Sequence, residues 1–293
     1  MSAELTSLDQ VLALADADRP GPLGQLARAA ADRRDAGEDL AAGEVDGLVS
    51  ALVGAVGVDG GTPAERVVLG EALGRLGDPR LRLPSDDDYW SSLTDETHTF
   101  SVGRHQVTTA EYRRFVEAGG YDDPALWGED GAAWLAAVGD NTWSALVASG
   151  ALTPDQRIAN QPVVGVCWYE ARAYARWAGA RLPTFQERMF AVRGAEKRPY
   201  PWGQPFGQGN ANTREEVLGR PCAVGLFRAD HTPDGIADLA GNVAEWVADD
   251  IDGDRLIAPG AWTQGSMSSW AKARDIRPAE TRGADLGFRL ARG

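Results

Sequence analysis

The distribution of aromatic residues divides this sequence into two parts. Residues 1–83 contain no tryptophan, tyrosine, phenylalanine or histidine, whereas all but one of the ten tryptophans lie at or after Trp127. The first part is rich in alanine and leucine, which favour helices, and the second is rich in glycine and aromatic residues. The segment LPSDDD separates the two textures. We therefore predict a helical domain over residues 1–83 and a second domain over residues 84–293.

Apolar residues in the first part recur at helical spacing. The runs SLDQVLALADA and LAAGEVDGLVSALVGAV both show this period. A further helix is predicted to begin with Thr62 as its N-cap and Pro63 in its first position, and to end before Gly77. Its last residues, LGDPR, resemble one unit of the HEAT-type helical repeats. The sequence predicts a small all-α domain of three or four helices.

The second part combines short strand-like runs with a few capped helices. FSVGRHQVT predicts a strand that leads into a turn. Helices are predicted to begin at Thr108 or Thr109 and at Thr184, where Glu187 has capping-box spacing. Another helix is predicted in WYEARAYARWAG. Beyond Pro199 the pattern indicates loops and short strands.

Five motifs follow one another in an order that is typical of one family. They are GRHQVTTAEYRRFVEAGGY, PVVGVCWYEARAYARWAGARLPT, YPWG, DLAGNVAEW and LGFRLAR. This set resembles the formylglycine-generating enzyme family, also called sulfatase-modifying factor domains, over residues 88–293. The resemblance implies an α+β, C-type-lectin-like fold of the formylglycine-generating-enzyme type, loop-rich and with two small sheets.

Two scaffold motifs depart from the family pattern. The family helix after RLPT usually carries Glu-Trp-Glu, where this chain has Glu187, Arg188 and Met189. In GNVAEW, Ala244 precedes the glutamate in a place where tryptophan is usual. We expect both changes to repack a tolerant region without altering the fold.

The loop DLAGNVAE is the candidate metal site. Hard cations such as calcium take six to eight oxygen ligands from carboxylates and carbonyls on irregular turns, and relatives bind a structural calcium on this loop. Carried over by the resemblance, the ligands are Asp238, the carbonyls of Gly241 and Val243, and Glu245. The alternative is a metal-free loop whose two carboxylates only cap turns. A second family site would begin at Asn212, but its partner segment is missing, so we expect that site to be absent or rebuilt.

The positions that carry the family's oxidative chemistry have changed. The best-known members oxidise a substrate cysteine with copper held by two cysteine thiolates on the last long strand. In this chain those positions, which follow Gly260, hold Gln264 and Ser269. The two cysteines present, Cys167 and Cys222, lie in apolar runs and are expected to be buried. Formylglycine generation is therefore predicted to be absent, and no copper is expected.

Other enzyme branches of the family are also considered. One branch uses iron held by three histidines and needs a His-x-x-x-His pattern in an N-terminal domain. Residues 1–97 contain no histidine, and the three histidines of the chain lack ligand spacing. No iron is therefore expected. A branch that modifies siderophore chromophores has no motif sharp enough to test, so an enzyme hypothesis stays open.

The stretch GAWTQGSMSSWAKARD occupies the place of the active-site strand. Tryptophan and arginine are enriched at binding hot spots, and small hydroxyl residues offer adaptable hydrogen bonds. We predict that Trp262 lies in the core and that the other side chains form a binding face, with close packing of the serines as the alternative. The predicted ligand-binding residues are Gln264, Ser266, Ser268, Ser269, Trp270 and Arg274.

Charge and composition narrow the function further. A net charge of −14 argues against non-specific binding to nucleic acid or to an anionic membrane. The start lacks the pattern of a secretory signal and two cysteines make no disulfide framework, so a cytoplasmic location is expected. The sequence favours a calcium-stabilised binding or regulatory module for a protein or small ligand on its C-terminal face. The alternative is an oxidase or other metalloenzyme that uses the same cavity.

Overall fold

The computed structural model describes three stretches of the chain, residues 7–57, 60–152 and 158–293. The chain divides into two compact units. The smaller unit reaches to Leu81 and also includes Ile158–Asn160, and the larger comprises Arg82–Arg157 and Gln161–Gly293. Among the described residues, no helix is both long enough and apolar enough to cross a membrane.

The smaller unit is built from helices. Those in its described residues are α1 (Leu8–Leu12), α2 (Pro20–Asp35), α3 (Ala42–Val56) and α4 (Pro63–Leu76), with a 3₁₀ turn at Asp16–Asp18. Helices α2 and α4 pack together, and Arg75 of α4 lies 2.6 Å from Asp32 and 2.7 Å from Asp35 of α2. The predicted all-α character of this part is confirmed.

Local chemistry explains where α4 begins and what lies against it. The Thr62 hydroxyl accepts from the backbone N–H of Glu65 at 3.3 Å, and the Glu65 carboxylate accepts from the N–H of Thr62 at 2.8 Å. This is the reciprocal capping box. From the distant segment Ile158–Asn160, the Asn160 amide donates to the Gly70 carbonyl at 2.9 Å and to the Asp78 carboxylate at 2.8 Å.

The larger unit contains the remaining helices and short 3₁₀ turns. Its helices are α5 (Thr109–Glu117), α6 (Gly128–Val138), α7 (Trp143–Ala148), α8 (Trp168–Trp177) and α9 (Phe185–Arg193). The 3₁₀ turns are Asp87–Tyr89, Pro124–Leu126, Arg214–Glu216 and Arg228–Asp230. Thr184 caps α9 through the predicted capping box, and Thr108, one of the two candidates for the start of α5, caps that helix through a capping box as well. Helices α6 and α7 were not predicted.

Two small sheets complete this unit, in agreement with the predicted fold class. The strands are β1 (Trp90–Thr94), β2 (Thr99–Gly103), β3 (Ala244–Ile251), β4 (Asp254–Ala258), β5 (Asp275–Arg277), β6 (Leu286–Phe288) and β7 (Ala291–Arg292). The first sheet has the antiparallel order β1-β2-β7. The second has the order β5-β4-β3-β6, in which only β3 and β6 run parallel.

The core of the larger unit is aromatic. Its fully buried rings include Trp127, Trp143, Trp246, Tyr112, Tyr174, Phe115 and Phe288. A buried indole needs an acceptor for its N–H, and the indoles of Trp127, Trp143 and Trp246 each find a backbone carbonyl at 3.0 to 3.1 Å. These bonds join the core to the backbone at Gly120, Val164 and Val166.

Candidate functional site

The loop that leads into β3 holds the predicted metal ligands. Its backbone is irregular, with positive φ angles of 56° at Asp238 and 72° at Asn242. The Asn242 side chain accepts from the N–H of Cys222 at 2.9 Å and donates to its carbonyl at 3.1 Å. The Asn242 carbonyl accepts from the N–H of Trp262 at 3.0 Å. The loop that leads into β3 is therefore hydrogen-bonded to the loop that follows β4.

Close backbone packing explains the glycine in this loop. A Cβ atom on Gly241 would lie 2.7 Å from the carbonyl oxygen and 2.8 Å from the nitrogen of Asn212, so no larger residue fits without a backbone shift. The buried Asn212 amide donates to the Arg220 carbonyl at 3.0 Å and to Asn242 Oδ1 at 3.2 Å. Asn212 thus braces the loop, and the absence or rebuilding of a second calcium site at this residue stays a prediction.

Glu245 is fully buried between two guanidinium groups. Its Oε2 lies 2.7 Å from Nε of Arg188 and 2.9 Å from Nε of Arg289, and its Oε1 lies 2.8 Å from Nη2 of Arg289. Burial alone would raise the pKa of Glu245, but the two guanidiniums outweigh it and hold this pKa at about 2. The carboxylate is therefore ionised and paired twice.

The amide nitrogen of Gln106 occupies the point where the loop's oxygens converge. Nε2 lies 2.7 Å from the Val243 carbonyl, 3.0 Å from Oε1 of Glu245 and 3.1 Å from the Asp238 carbonyl. An amide oxygen placed there would face three acceptors, so the surroundings select the nitrogen. The side chain is buried, and its two N–H groups are shared among these three acceptors.

These residues, as arranged, do not fit a calcium ion. Of the four predicted ligands, only the Val243 carbonyl and the Glu245 carboxylate meet at Gln106 Nε2, and the Asp238 carboxylate instead accepts from the N–H of Gly225 at 2.7 Å. Calcium needs six to eight oxygens at about 2.3–2.6 Å, whereas an N–H donor fills this centre. Arg188, which we expected only to repack the fold, supplies one of the cations on Glu245.

The stretch that follows β4 forms turns, although the family resemblance implied that the active-site strand would lie there. Strand β4 ends at Ala258 and β5 begins at Asp275, and residues 260–274 between them form no strand. Local bonds replace a ladder: the N–H of Gln264 donates to the Ala261 carbonyl, and the N–H of Ser268 donates to the Gly265 carbonyl, each at 2.9 Å. We call residues 260–274 the C-terminal loop.

The two positions that correspond to the family's cysteine pair hold a glutamine that braces this loop and a buried serine. Oε1 of Gln264 accepts from the N–H of Gly260 at 2.8 Å, and the Gln264 carbonyl accepts from the N–H of Arg214 at 2.9 Å. Ser269 is buried. Of the predicted ligand-binding residues, Ser269 is therefore internal, whereas Gln264 is half-buried with its Oε1 bonded within the loop.

Other side chains of the C-terminal loop face solvent. Met267 is 80% exposed and Trp270 is 46% exposed, and Arg274 is exposed as well. Ser266 and Ser268 are half-buried. The expectation of a core position for Trp262 is wrong, because this side chain is only half-buried and its indole donates to the Ala284 carbonyl at 3.2 Å near the surface.

Two exposed apolar residues escaped the sequence reasoning. Met267 lies between Ser266 and Ser268, which were predicted to bind ligand, but was not itself singled out. Val217 is 86% exposed and has a positive φ of 57°, which is unusual for a β-branched side chain. Val217 follows the turn Arg214–Glu216, and Glu215 of that turn accepts from the N–H of Ser266 at 2.8 Å. The turn thus packs on the C-terminal loop.

The thiols lie away from solvent. Cys167 and Cys222 are both fully buried, as predicted, and burial raises the pKa of the Cys167 thiol. Across the part of the chain that the structure describes, no three histidine, cysteine, aspartate or glutamate side chains are placed to hold a metal ion together.

A cavity that the sequence did not indicate lies elsewhere on the larger unit. It has a volume of about 570 Å³ and opens between the turn that joins β1 to β2 and the end of α9. Its walls include Glu96, Met189, Phe190 and Arg193. No motif singled out these residues, because they come from two segments nearly a hundred positions apart.

The fold and the altered site together define a class: a C-type-lectin-like domain of the formylglycine-generating type that lacks the catalytic cysteine pair. The sulfatase-modifying factor enzyme 1-like domain matches residues 75–293. The chain belongs to this family. The match begins within α4, so it extends beyond the 88–293 that the motifs indicated.

Several named relatives align in sequence with about half of this chain. Hercynine oxygenase of Mycolicibacterium smegmatis is 35% identical over 51% of this chain and 37% of its own length. The formylglycine-generating enzyme of Thermomonospora curvata is 32% identical over 51% of this chain and 59% of its own. The inactive Cα-formylglycine-generating enzyme 2 of Bos taurus is 36% identical over 45% and 50%, respectively. The chain thus spans only a third to three-fifths of these relatives.

Proposed function

We propose that this chain is a binding module for a protein partner and does not generate formylglycine. The binding surface, which we call the C-terminal face, consists of Val217, Met267, Trp270, Lys272 and Arg274. The observation that carries the proposal is that the C-terminal loop is ordered by internal hydrogen bonds and exposes apolar side chains. At the place of the family's reactive sulfurs, the loop is braced from within and presents large apolar side chains to water.

The bracing of the loop favours binding. Besides the bonds of Gln264, the N–H of Ala271 donates to the Pro199 carbonyl at 2.9 Å, and the Thr263 hydroxyl bonds the Asp285 carboxylate. A surface that is already ordered loses little conformational entropy when a partner docks. Exposed methionine and tryptophan on such a surface are typical of the centre of a protein interface.

Charge indicates the kind of partner. The whole chain carries a net charge of −14, yet Lys272 and Arg274, two and four residues after Trp270 in the sequence, are both exposed. A local positive patch on an acidic protein attracts acidic segments and repels other basic ones. We therefore propose a partner segment with an apolar anchor flanked by aspartate or glutamate.

The family also supplies the alternative. Hercynine oxygenase is an enzyme by name, so a metalloenzyme with different chemistry in the same cavity is the competing proposal. No contact of the described residues favours it. The similarity to an inactive formylglycine-generating enzyme supports the non-catalytic proposal, because that relative combines this fold with a loss of the activity in its name.

Site-specific photocrosslinking in the native host tests the proposal. A photoreactive phenylalanine analogue replaces Met267 in one strain and Ile251, a second exposed apolar residue of the larger unit, in a control strain. We expect one discrete crosslinked product at position 267 and none at position 251. The product should disappear when Trp270→Ser and Arg274→Glu are added.

Two results of the crosslinking experiment would contradict the proposal. No product at position 267, or a product that survives both added substitutions, would remove the C-terminal face as the docking surface. The partner identified from the product is then titrated with the purified chain. The Arg274→Glu variant should bind at least tenfold more weakly, with a loss that shrinks as salt is added.

A further inference from the structure

The contacts around Glu245 reproduce with protein groups what a bound cation would supply. A cation on this loop would draw together carbonyl and carboxylate oxygens and neutralise a buried negative charge. Gln106 Nε2 draws together the Val243 carbonyl, the Asp238 carbonyl and Glu245. Arg188 and Arg289 neutralise Glu245 at 2.7 and 2.8 Å.

The same arginines also satisfy the carbonyls of the loop. Arg289 Nη2 donates to the carbonyls of Ala237 at 2.9 Å and Asp238 at 3.1 Å, and Arg188 Nη2 donates to that of Leu239 at 2.8 Å. Three successive carbonyls of the loop therefore accept from these arginines, and that of Asp238 also accepts from Gln106. Such groups are costly to leave unpaired, so the shape of the loop depends on these two side chains.

The other acidic groups nearby are occupied by the backbone. The Asp230 carboxylate accepts from the N–H groups of Leu239 at 3.1 Å and Ala240 at 2.9 Å, and the Asp238 carboxylate accepts from that of Gly225. Neither carboxylate is aimed at the point that Gln106 Nε2 occupies. A divalent ion at that point would meet one carboxylate already shared by two guanidiniums, with two positive charges against it.

We infer that Arg188, Arg289 and the Gln106 amide stand in for the calcium ion of related domains, so that this chain keeps the loop in shape without metal. The inference is independent of the proposed function, since a metal-free loop can support either a binding face or an enzyme. The rival arrangement turns the Gln106 amide over, so that Oε1 points at a bound calcium ion. The two arrangements differ in their response to calcium.

The first test uses the unmodified chain. Its melting temperature is measured in EGTA and in millimolar calcium, and its mass is measured under native conditions with calcium present. We expect the same melting temperature in both buffers and no calcium adduct. A rise of several degrees in calcium, or one calcium retained per chain, would overturn the inference.

The second test tries to restore an ion site. The double variant Arg188→Gln/Gln106→Glu removes one cation and places a carboxylate where the amide donates now. We expect it to melt roughly 5 °C or more below the unmodified chain in EGTA and to regain stability when calcium is added. A double variant that calcium does not stabilise would contradict the inference.

A matched control guards against a general effect of buried charge. Gln161 is a buried glutamine of the same unit that lies outside this cluster. Gln161→Glu should also lower the melting temperature, but by the same amount in EGTA and in calcium. If the double variant fails to fold, the measurements on the unmodified chain still decide.

Discussion

Arg289 and Glu245 form a fully buried, two-pronged ion pair. Nε and Nη2 of the guanidinium lie 2.9 and 2.8 Å from the two carboxylate oxygens, and Nη1 donates to the Gly103 carbonyl at the end of β2. The pair thus joins the end of β2 in the first sheet to β3 in the second. This bidentate arrangement is the strong form of a charged hydrogen bond.

We predict that Arg289→Met lowers the free energy of unfolding of the larger unit by about 3–5 kcal/mol, because it leaves a buried carboxylate short of a partner. Urea unfolding followed by tryptophan fluorescence measures this, since every tryptophan lies in the larger unit. The exposed Arg274→Met should change the value by less than about 0.5 kcal/mol. Equal effects of the two substitutions would contradict the role given to Arg289.

Stability should fall as pH rises through the titration of Glu111. Burial raises the pKa of this carboxyl from 4.5 to about 7. Because the folded state holds the proton more tightly, the contribution is present below pH 4.5 and is lost as pH rises to about 7. The slope from this group is ~1.4 kcal/mol per pH unit inside that window.

The variant Glu111→Gln isolates this pH effect. Glutamine keeps the side-chain oxygen that accepts from the N–H of Thr108 at 2.8 Å in the capping box, but it does not titrate. We expect its unfolding free energy to depend less on pH between 5 and 7 than that of the unmodified chain. Parallel pH profiles of the two proteins would show that Glu111 titrates normally.

Gly241→Ala should destabilise the chain by ~1–3 kcal/mol, because its Cβ would press on the backbone of Asn212. Gly54→Ala provides the opposite case. Gly54 is an exposed residue of α3 with nothing within 4 Å of its Cβ position, so alanine should add ~0.5–1 kcal/mol. Far-UV circular dichroism during denaturation follows both. A neutral Gly241→Ala would mean that the contact with Asn212 relaxes without cost.

Both thiols should resist alkylation in the native protein. Cys167 and Cys222 are fully buried, and an inaccessible protonated thiol is a poor nucleophile. Intact mass after iodoacetamide should show no adduct in buffer and adducts on both cysteines in urea. Rapid native modification of either residue would reopen a sulfur-based copper site and the oxidase alternative.

Local signals in the sequence were sufficient to place the starts of three capped helices. Thr62, Thr108 and Thr184 begin helices because each finds its capping partner three residues later, and that spacing is visible in the sequence. Helix α6 escaped prediction because GEDGAAWLAAV has only a weak polar face and no capping side chain. Asn160 escaped as well, because its partners Gly70 and Asp78 are 90 and 82 positions away.

The sequence predicted where the candidate site lies along the chain, but it did not predict which residues contact one another there. The motifs located the loop with Asp238 and Glu245. Gln106, however, contacts Val243 across 137 positions and Arg188 contacts Glu245 across 57. No local pattern indicates such pairs. The sequence of the loop therefore did not show that Arg188 and Arg289 would neutralise Glu245. For the C-terminal loop, the match to the family's active-site strand located the region, but it did not predict which side chains are exposed to solvent.

Elemental analysis of the protein, purified without chelators, tests the central claim of this account most directly: a domain of this family that works without metal. We predict calcium, copper and iron each far below one per chain. One calcium per chain would contradict the role of Arg188, Arg289 and Gln106. One copper or iron per chain would instead contradict the non-catalytic binding function.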